Sequence, residues 1–414
     1  MRYIRPTEVH GTIAAPPSKS DGQRAVAAAL LAAGTTVINQ VGWCDDLHAA
    51  VEVAGGLGAI IDQRGDRLEI RGGLNPRTRE LNCGESGLCL RVFAPIAALC
   101  GGEMTLHGRG SLMNRPAGMV ESALRQLGVT CESRNGFPPI RLKGPLKSGH
   151  VKVDGGSTSQ HISGLLFALP VVQGDSHVEV ANPQSKPYLQ MTLSTLERFG
   201  VRIEHDEALT NFFIRGGQSY TPVRYRLEGD WSGAVFMLVA GAIAGRVTVE
   251  NLNPDSLQAD RAVLDALRQC GADVLCDAAA VTVQRNELLA FEFDAHDSPD
   301  LVPPLAVLAC YCQGTSLIGG TDRLKIKESN RTRALISELT KMGARVSEHE
   351  DCLRITGGVL KGARVQTQND HRIAMAAAVA ALGAEQEVVL DDPECVSKSY
   401  PNFFQDLETI GVKK

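Results

Sequence analysis

The sequence predicts an α/β protein built from six small layers, and three observations carry that prediction. First, an apolar residue followed by glycine recurs at Leu57-Gly58, Leu127-Gly128, Phe199-Gly200, Cys270-Gly271, Met342-Gly343 and Ile410-Gly411, the glycines lying 70, 72, 71, 72 and 68 residues apart. Second, most pairs end an amphipathic run, such as Val263–Gln269 or Leu335–Lys341, where a left-handed glycine closes a helix. Third, a short apolar strand follows most of them, at Ala59–Ile61, Val129–Cys131, Val201–Ile203, Ala272–Leu275 and Ala344–Val346. Several units then close with a second strand and a glycine turn, as in Leu68–Ile70 before Gly72-Gly73 and Leu353–Ile355 before Gly357-Gly358. Such a period is too long for a solenoid repeat, so each unit reads as a small α/β layer. The sixth pair lies three residues from the C-terminus, with no room for its strands. The N-terminal segment Tyr3–Ala15 is the unassigned strand-like stretch that can complete it, so the chain is expected to start and finish in one domain.

Bulk composition bounds the partners. A chain of 414 residues is two or three domains by length, and six units divide most simply into two groups of three. A net charge of −5 argues against a nucleic-acid or membrane-surface partner. Eleven cysteines without CxxC spacing, and no signal segment, favour free thiols in a reducing cytoplasm. The longest apolar stretches, Ala25–Ala33 and Ala374–Leu382, are far too short to cross a bilayer.

Lys and Arg are set beside helix starts. Ser18-Lys19-Ser20-Asp21-Gly22-Gln23-Arg24 precedes Ala25–Ala33; Ser20 and Gln23 have capping-box spacing, which makes Ser20 the expected N-cap. Lys327-Glu328-Ser329-Asn330-Arg331 opens a helix through about Met342, and Asn369-Asp370-His371-Arg372 opens Ile373–Leu382. Gly155–Gln160 and Cys83–Gly87 open two more. Free N–H groups and the macrodipole make each start receptive to anions, and a neighbouring Arg or Lys adds charge-assisted hydrogen bonds. Several such starts together suit a small ligand bearing phosphate and carboxylate groups. Each alone also has a purely structural explanation: a Ser, Asn or Asp before an apolar run is commonly only a cap, Arg331 could be a solvated helix residue, and Gly84 and Gly87 could serve packing. No GxxxxGK[ST], strand-linked GxGxxG, HExxH or G-x-S-x-G is present. The residues by themselves reach a binder of small polyanions.

Taken together, the segments resemble the 5-enolpyruvylshikimate-3-phosphate synthase family. The likeness runs from Pro16-Pro17-Ser18-Lys19-Ser20 to Lys398-Ser399-Tyr400-Pro401; its most specific pieces are Lys327-Glu328-Ser329, Asn369-Asp370-His371-Arg372, Ser185-Lys186-Pro187-Tyr188 and Glu228-Gly229-Asp230-Trp231-Ser232. The resemblance implies two inside-out α/β domains, each of three βαβαββ units, with the active site in the interdomain cleft. Residues 18–228 would form the N-terminal domain, mainly binding shikimate-3-phosphate. Residues 1–17 with 229–414 would form the C-terminal domain, mainly binding phosphoenolpyruvate and carrying the catalytic carboxylates.

The implied reaction transfers the enolpyruvyl group of phosphoenolpyruvate to the 5-hydroxyl of shikimate-3-phosphate and releases phosphate, in chorismate and aromatic amino acid biosynthesis. By position, the acceptor would be held by Lys19, Ser20, Arg24, Thr158, Ser159, Gln160, Ser185, Asp300 and Lys327. The donor would be held by Lys19, Gly87, Arg115, Gln160, Arg331, Arg372 and Lys398. Asp300 would take the hydroxyl proton, Glu328 would protonate the donor methylene carbon, and Lys19 is the third implied catalytic group. No metal and no cofactor are implied, and a cytoplasmic monomer is expected. Closure of the domains over the acceptor phosphate would exclude water.

Several positions depart from the family pattern. Glu85 stands where an Asn is usual and Leu88 where a Thr is, beside the glycine facing the donor; a carboxylate there is unfavourable unless turned away, neutralised or paired. Asp21-Gly22 replaces an apolar-Ser pair, Thr158 a Ser, Asn330 an Asp, and Arg323 falls near a usual Asn. Two other functions compete. UDP-N-acetylglucosamine enolpyruvyl transferase shares the fold and donor, but has Lys-Asn where this chain has Lys19-Ser20, and a loop cysteine that Arg109–Arg115 lacks; Cys83 and Cys89 read as small buried hydrophobes. A catalytically silent anion-binding relative would need neither Asp300 nor Glu328.

Overall fold

The computed structural model describes residues 1–412. The chain divides into two compact units, Pro17–Leu227 and a second that joins Met1–Pro16 to the chain from Glu228 onward.

The helices of Pro17–Leu227 are α1 (Lys19–Leu31), α2 (Asp45–Gly56), α3 (Gly87–Ala97), α4 (Gly118–Gln126), α5 (Gln160–Ala168) and α6 (Lys186–Arg198). Three four-stranded sheets accompany them. Each has one parallel pair followed by two antiparallel neighbours, as in Glu80–Asn82, Gly102–His107, Phe137–Gly144 and Thr130–Arg134. The pattern repeats from His150–Asp154 through Ser176–Ala181 and Asn211–Ile214 to Glu204–His205. In the remaining sheet the parallel partner of Thr35–Asn39 is Arg224–Arg226, from the far end of the unit. Every residue of α3 is buried, whereas α4 buries only Val120, Ala123 and Leu124. A helix apolar on all sides must lie inside. Strands such as Arg67–Arg71 and His150–Asp154 alternate exposed and buried residues, so each sheet covers the helices with one face. That order is inside-out: helices in the core, sheets around them.

The second unit repeats the plan with α7 (Trp231–Ala244), α8 (Val263–Gln269), α9 (Val302–Cys310), α10 (Arg331–Lys341), α11 (His371–Leu382) and α12 (Phe403–Thr409). Helices α7, α9 and α11 are buried along their whole length. The N-terminal segment is divided between two sheets. Arg2–Ile4 pairs antiparallel with Val388–Leu390 and completes the sixth layer, while Val9–Ala14 pairs parallel with Gly245–Glu250 in the fourth.

All six glycines of the recurring pairs have positive φ, from +78° at Gly128 to +124° at Gly58, as helix termination at these points requires. The strand expected at Val201–Ile203 starts later, at Glu204–His205. Among the described residues no helix is long and apolar enough to cross a membrane.

Helices α3 and α5 pack through Gly164, where a Cβ would stand 2.5 Å from the Arg91 carbonyl oxygen. Gly164→Ala is therefore expected to destabilise by roughly 1–3 kcal/mol through overpacking. Gly101→Ala, which would meet nothing within 4 Å, should leave the thermal midpoint unchanged or slightly raised; equal midpoints for the two variants would contradict this packing. The neighbouring His161 is buried, and that burial, reinforced by Arg91, lowers its pKa to about 4. A base whose folded pKa is depressed binds fewer protons folded than unfolded between its two pKa values. Its contribution is thus complete above about pH 6.5, the unfolded value, and is lost as pH falls toward 4, by roughly 3 kcal/mol in all. Urea titrations from pH 7 to pH 4 should show a shallower acid loss for His161→Leu than for the unmodified chain.

Candidate active site

Helix starts arrange the candidate residues of Pro17–Leu227. Helix α1 begins two residues earlier than its capping-box spacing suggests. The N-cap is Ser18, whose Oγ accepts from the Asp21 N–H at 3.4 Å, and Lys19 and Ser20 are its first two residues. Ser20 is not the cap because Gln23, the residue that would reciprocate, is engaged elsewhere: its Oε1 accepts from the Ser86 hydroxyl at 2.9 Å. Lys19 Nζ donates to Asp46 at 2.7 Å. Arg24 is almost wholly buried and donates to the Ser20 carbonyl (2.9 Å), Thr192 Oγ1 (2.9 Å) and the Tyr188 carbonyl (3.1 Å). Burial lowers its pKa to about 10, which still leaves a cation at neutral pH. Ser185 caps α6 in the left-handed conformation, three residues before Tyr188. At the α5 start, Ser159 is the N-cap and Thr158 Oγ1 accepts from the Gln160 N–H at 3.2 Å.

A second group gathers at the α3 start. Ser86 caps α3, and Gly87 is its first residue. A Cβ on Gly87 would lie 2.7 Å from Arg91 Nη1 and 2.8 Å from Arg115 Cζ, so glycine is what lets two guanidinium groups close on this backbone. Arg91 is a cation that the sequence reading passed over. It donates to Gln160 Oε1 at 2.6 Å and to the Pro116 carbonyl at 2.7 Å, which joins Gln160 to the Gly87–Arg115 group. Its position one helical turn after Gly87 was the available signal. The unusual Glu85 is paired: one oxygen accepts from both the N–H (3.0 Å) and the hydroxyl (2.7 Å) of Ser111. Gly110, at φ +54°, leaves room for that carboxylate, since a Cβ there would be 2.5 Å from Oε1. Leu88 is buried, as are Cys83 and Cys89. Asp21 accepts from the Tyr225 hydroxyl at 2.6 Å, and Gly22 lets α1 approach Leu47.

In the other unit, five candidates form one ionic cluster. Arg331, the first residue of α10, is 1% exposed. It donates to Asp300 at 2.7 Å, to Glu328 at 2.5 Å and to Asp370 at 2.9 Å. It is therefore a buried ion-paired residue and not a solvated one. Arg372 donates to Asp300 Oδ2 at 3.1 Å and to the Ser232 carbonyl at 3.3 Å. Lys327 Nζ is 3.7 Å from Asp300. Lys398 donates to the Asn369 carbonyl at 2.6 Å, next to Asp370. Burial by itself would raise the Asp300 pKa; Arg372, Lys327 and Arg331 overcome it and hold the carboxyl well below the usual range. Burial lowers Lys327 to about 8. For Arg331, the Asp370, Glu328 and Asp300 carboxylates outweigh burial and raise the pKa.

In the sequence, Asp370 reads only as part of a helix start. It caps α11, accepting from the Arg372 N–H at 3.0 Å, and also takes the Ser329 hydroxyl and Arg331 Nε, both at 2.9 Å. Asn330 caps α10, and Arg323 donates to the His296 carbonyl. Chemically, the cluster offers cations for a small anion and two carboxylates able to exchange protons. Replacing Arg331 by Met would remove the guanidinium from Glu328 and Asp370 and leave Asp300 to Arg372 and Lys327, and we expect a loss of roughly 3–5 kcal/mol of stability. A thermal midpoint close to that of the unmodified chain would count against the cluster.

A sequence profile of the EPSP synthase (3-phosphoshikimate 1-carboxyvinyltransferase) family matches residues 4–407. The chain is 42% identical to a 3-phosphoshikimate 1-carboxyvinyltransferase of Thermococcus kodakarensis, over 98% of this chain and 99% of that one. It is 38% identical to the enzyme of the same name from Clostridium kluyveri, over 99% and 98%. In fold it is similar to the solved EPSP synthase of Acinetobacter baumannii, with a TM-score of 0.84 at 23% identity, covering 99% of this chain and 98% of the other. With a profile match and relatives of this identity spanning nearly the whole chain, the chain belongs to the EPSP synthase family.

Proposed function

We propose that the chain transfers the enolpyruvyl group of phosphoenolpyruvate to the 5-hydroxyl of shikimate-3-phosphate and releases phosphate, in chorismate and aromatic amino acid biosynthesis. Family membership over nearly the whole chain supports the reaction. The single structural observation that carries the site reading is the grip of Arg331 and Arg372 on Asp300, at 2.7 and 3.1 Å.

The chemistry needs a proton at the donor methylene carbon, attack of a hydroxyl on the adjacent carbon, and loss of phosphate from the resulting tetrahedral adduct. Asp300 takes the hydroxyl proton, and Glu328 gives one to the methylene carbon, with Lys19 as the third catalytic group. Positioned acid and base groups each contribute typically 10²- to 10⁴-fold. Arg331, Arg372, Lys398, Arg115 and Lys19 oppose the donor carboxylate and the departing phosphate, where fixed cations offset charge that develops late. The Gly87 backbone and Gln160 complete the donor's surroundings. The acceptor is held by Lys19, Ser20, Arg24, Thr158, Ser159, Gln160, Ser185 and Lys327. The pairing of Glu85 with Ser111 supports donor binding despite the extra carboxylate. The reading extends to a monomer in the cytoplasm.

Phosphate release by the purified chain decides the matter. Release is expected with phosphoenolpyruvate and shikimate-3-phosphate, with none when UDP-N-acetylglucosamine replaces the acceptor. Asp300→Ala should cut kcat at least 100-fold, the lower end for a lost general base, while the fold is retained. Turnover with the sugar nucleotide would favour the other enolpyruvyl transfer, and silence with both acceptors in a protein that binds shikimate-3-phosphate would point to a silent relative.

A further inference from the structure

Asp260 lies in the 3₁₀ turn Ala259–Ala262, fully buried and outside the residues assigned to either substrate. Its Oδ2 accepts from the hydroxyl of Ser232, the second residue of α7. The Ser232 carbonyl in turn accepts from Arg372, and Arg372 reaches Asp300. Gln258, two residues before Asp260, accepts from the Trp231 N–H at 3.0 Å and donates to the Gly229 carbonyl at 2.8 Å. The short segment from Gln258 to Asp260 therefore holds the α7 start at two points. Asp260 Oδ1 is buried and has no hydrogen-bond partner among the described residues. An ionised carboxylate is poorly accommodated with one oxygen bare in the interior, whereas the neutral acid tolerates it.

We propose that Asp260 is a positioning residue for phosphoenolpyruvate, fixing through Ser232 the carbonyl against which Arg372 is set to receive the donor. The inference rests on the reading of Arg372 as a donor ligand. The charged groups around Asp260 are Asp230 at the α7 cap, Asp300 before α9 and Arg372 on α11. Burial, with repulsion from Asp300 and Asp230, pushes the Asp260 carboxyl up to about 7 against the pull of Arg372 and Ser232. As the neutral acid, Asp260 leaves Arg372 to Asp300 and the donor. Once ionised, it is a further buried anion competing for that guanidinium, and donor affinity falls as pH rises.

The test is KM for phosphoenolpyruvate and kcat, measured from about pH 5.5 to about pH 8.5, for the unmodified chain, Asp260→Asn, Ser232→Ala and Arg372→Ala. The donor's own ionisation is common to all four, so differences between variants isolate the protein's contribution. We expect KM of the unmodified chain to rise through pH 7 relative to Asp260→Asn, with kcat little changed. Ser232→Ala should raise KM about 10-fold, in keeping with one lost buried hydrogen bond, and retain the pH-dependent limb. Identical pH profiles for Asp260→Asn and the unmodified chain would overturn the proposal, as would an unchanged KM in Ser232→Ala. Should Arg372→Ala leave KM unaltered, the donor-ligand reading itself fails; a raised KM there with no Asp260 effect removes this proposal alone.

Discussion

Burial of the Arg331 guanidinium is the constraint from which the arrangement of its unit follows. A fully enclosed cation is tolerable only when several acceptors surround it, and three carboxylates do so: Asp300, Glu328 and Asp370. They come from the turn before α9, the approach to α10 and the cap of α11. Three helix starts are thereby tied to one point. A guanidinium forks to several acceptors at fixed angles, which the single ammonium of lysine does not. Asp370 shows how tightly the parts are shared, since the same carboxylate caps α11, binds Ser329 and pairs with Arg331.

The fold was legible to the extent that its signals are local. Helix termination by glycine depends on φ at one residue, and all six glycines of the repeat behave as the spacing implied. Strand partnership is not local. Nothing between Val9 and Ala14 distinguishes a strand that joins Gly245–Glu250 from one that follows Arg2–Ile4 to Val388–Leu390, so the division of the N-terminal segment between two sheets was out of reach. The same holds for Arg224–Arg226, which pairs with Thr35–Asn39 across most of its unit.

Site residues divided along a similar line. Helix starts at Gly87, Gln160, Arg331 and His371 were readable from caps preceding apolar runs, and each is a start. The cap at Ser20 was misplaced because capping-box spacing assumes a free partner, and Gln23 is drawn to Ser86, which is distant in sequence. Arg91 and Asp260 were missed for a common reason. Each sits in an ordinary helical or turn setting, and its relevance comes from a tertiary neighbour: Gln160 for Arg91 and Ser232 for Asp260. Glu85 shows the reverse case, a residue conspicuous in sequence whose charge is absorbed by Ser111.

The same cations that suit a donor anion make Asp300 a weak base while no donor is bound, because Arg372, Lys327 and Arg331 hold it well below the usual carboxylate range. On the proposed assignment this is a coupling and not a defect. Phosphoenolpyruvate carries its own carboxylate and phosphate, and these compete with Asp300 and Glu328 for Arg331 and Arg372. Each unit by which Asp300's pKa rises as the cations turn to the donor corresponds to about 1.4 kcal/mol of interaction transferred. The carboxylates thus compensate the cationic cluster, so that it is not left as bare buried charge. Asp300 becomes a better proton acceptor only when the anion it resembles takes its place beside Arg331 and Arg372. A cluster with fewer carboxylates would bind the donor more tightly, but it would leave buried cations unpaired before binding and no base at the acceptor hydroxyl.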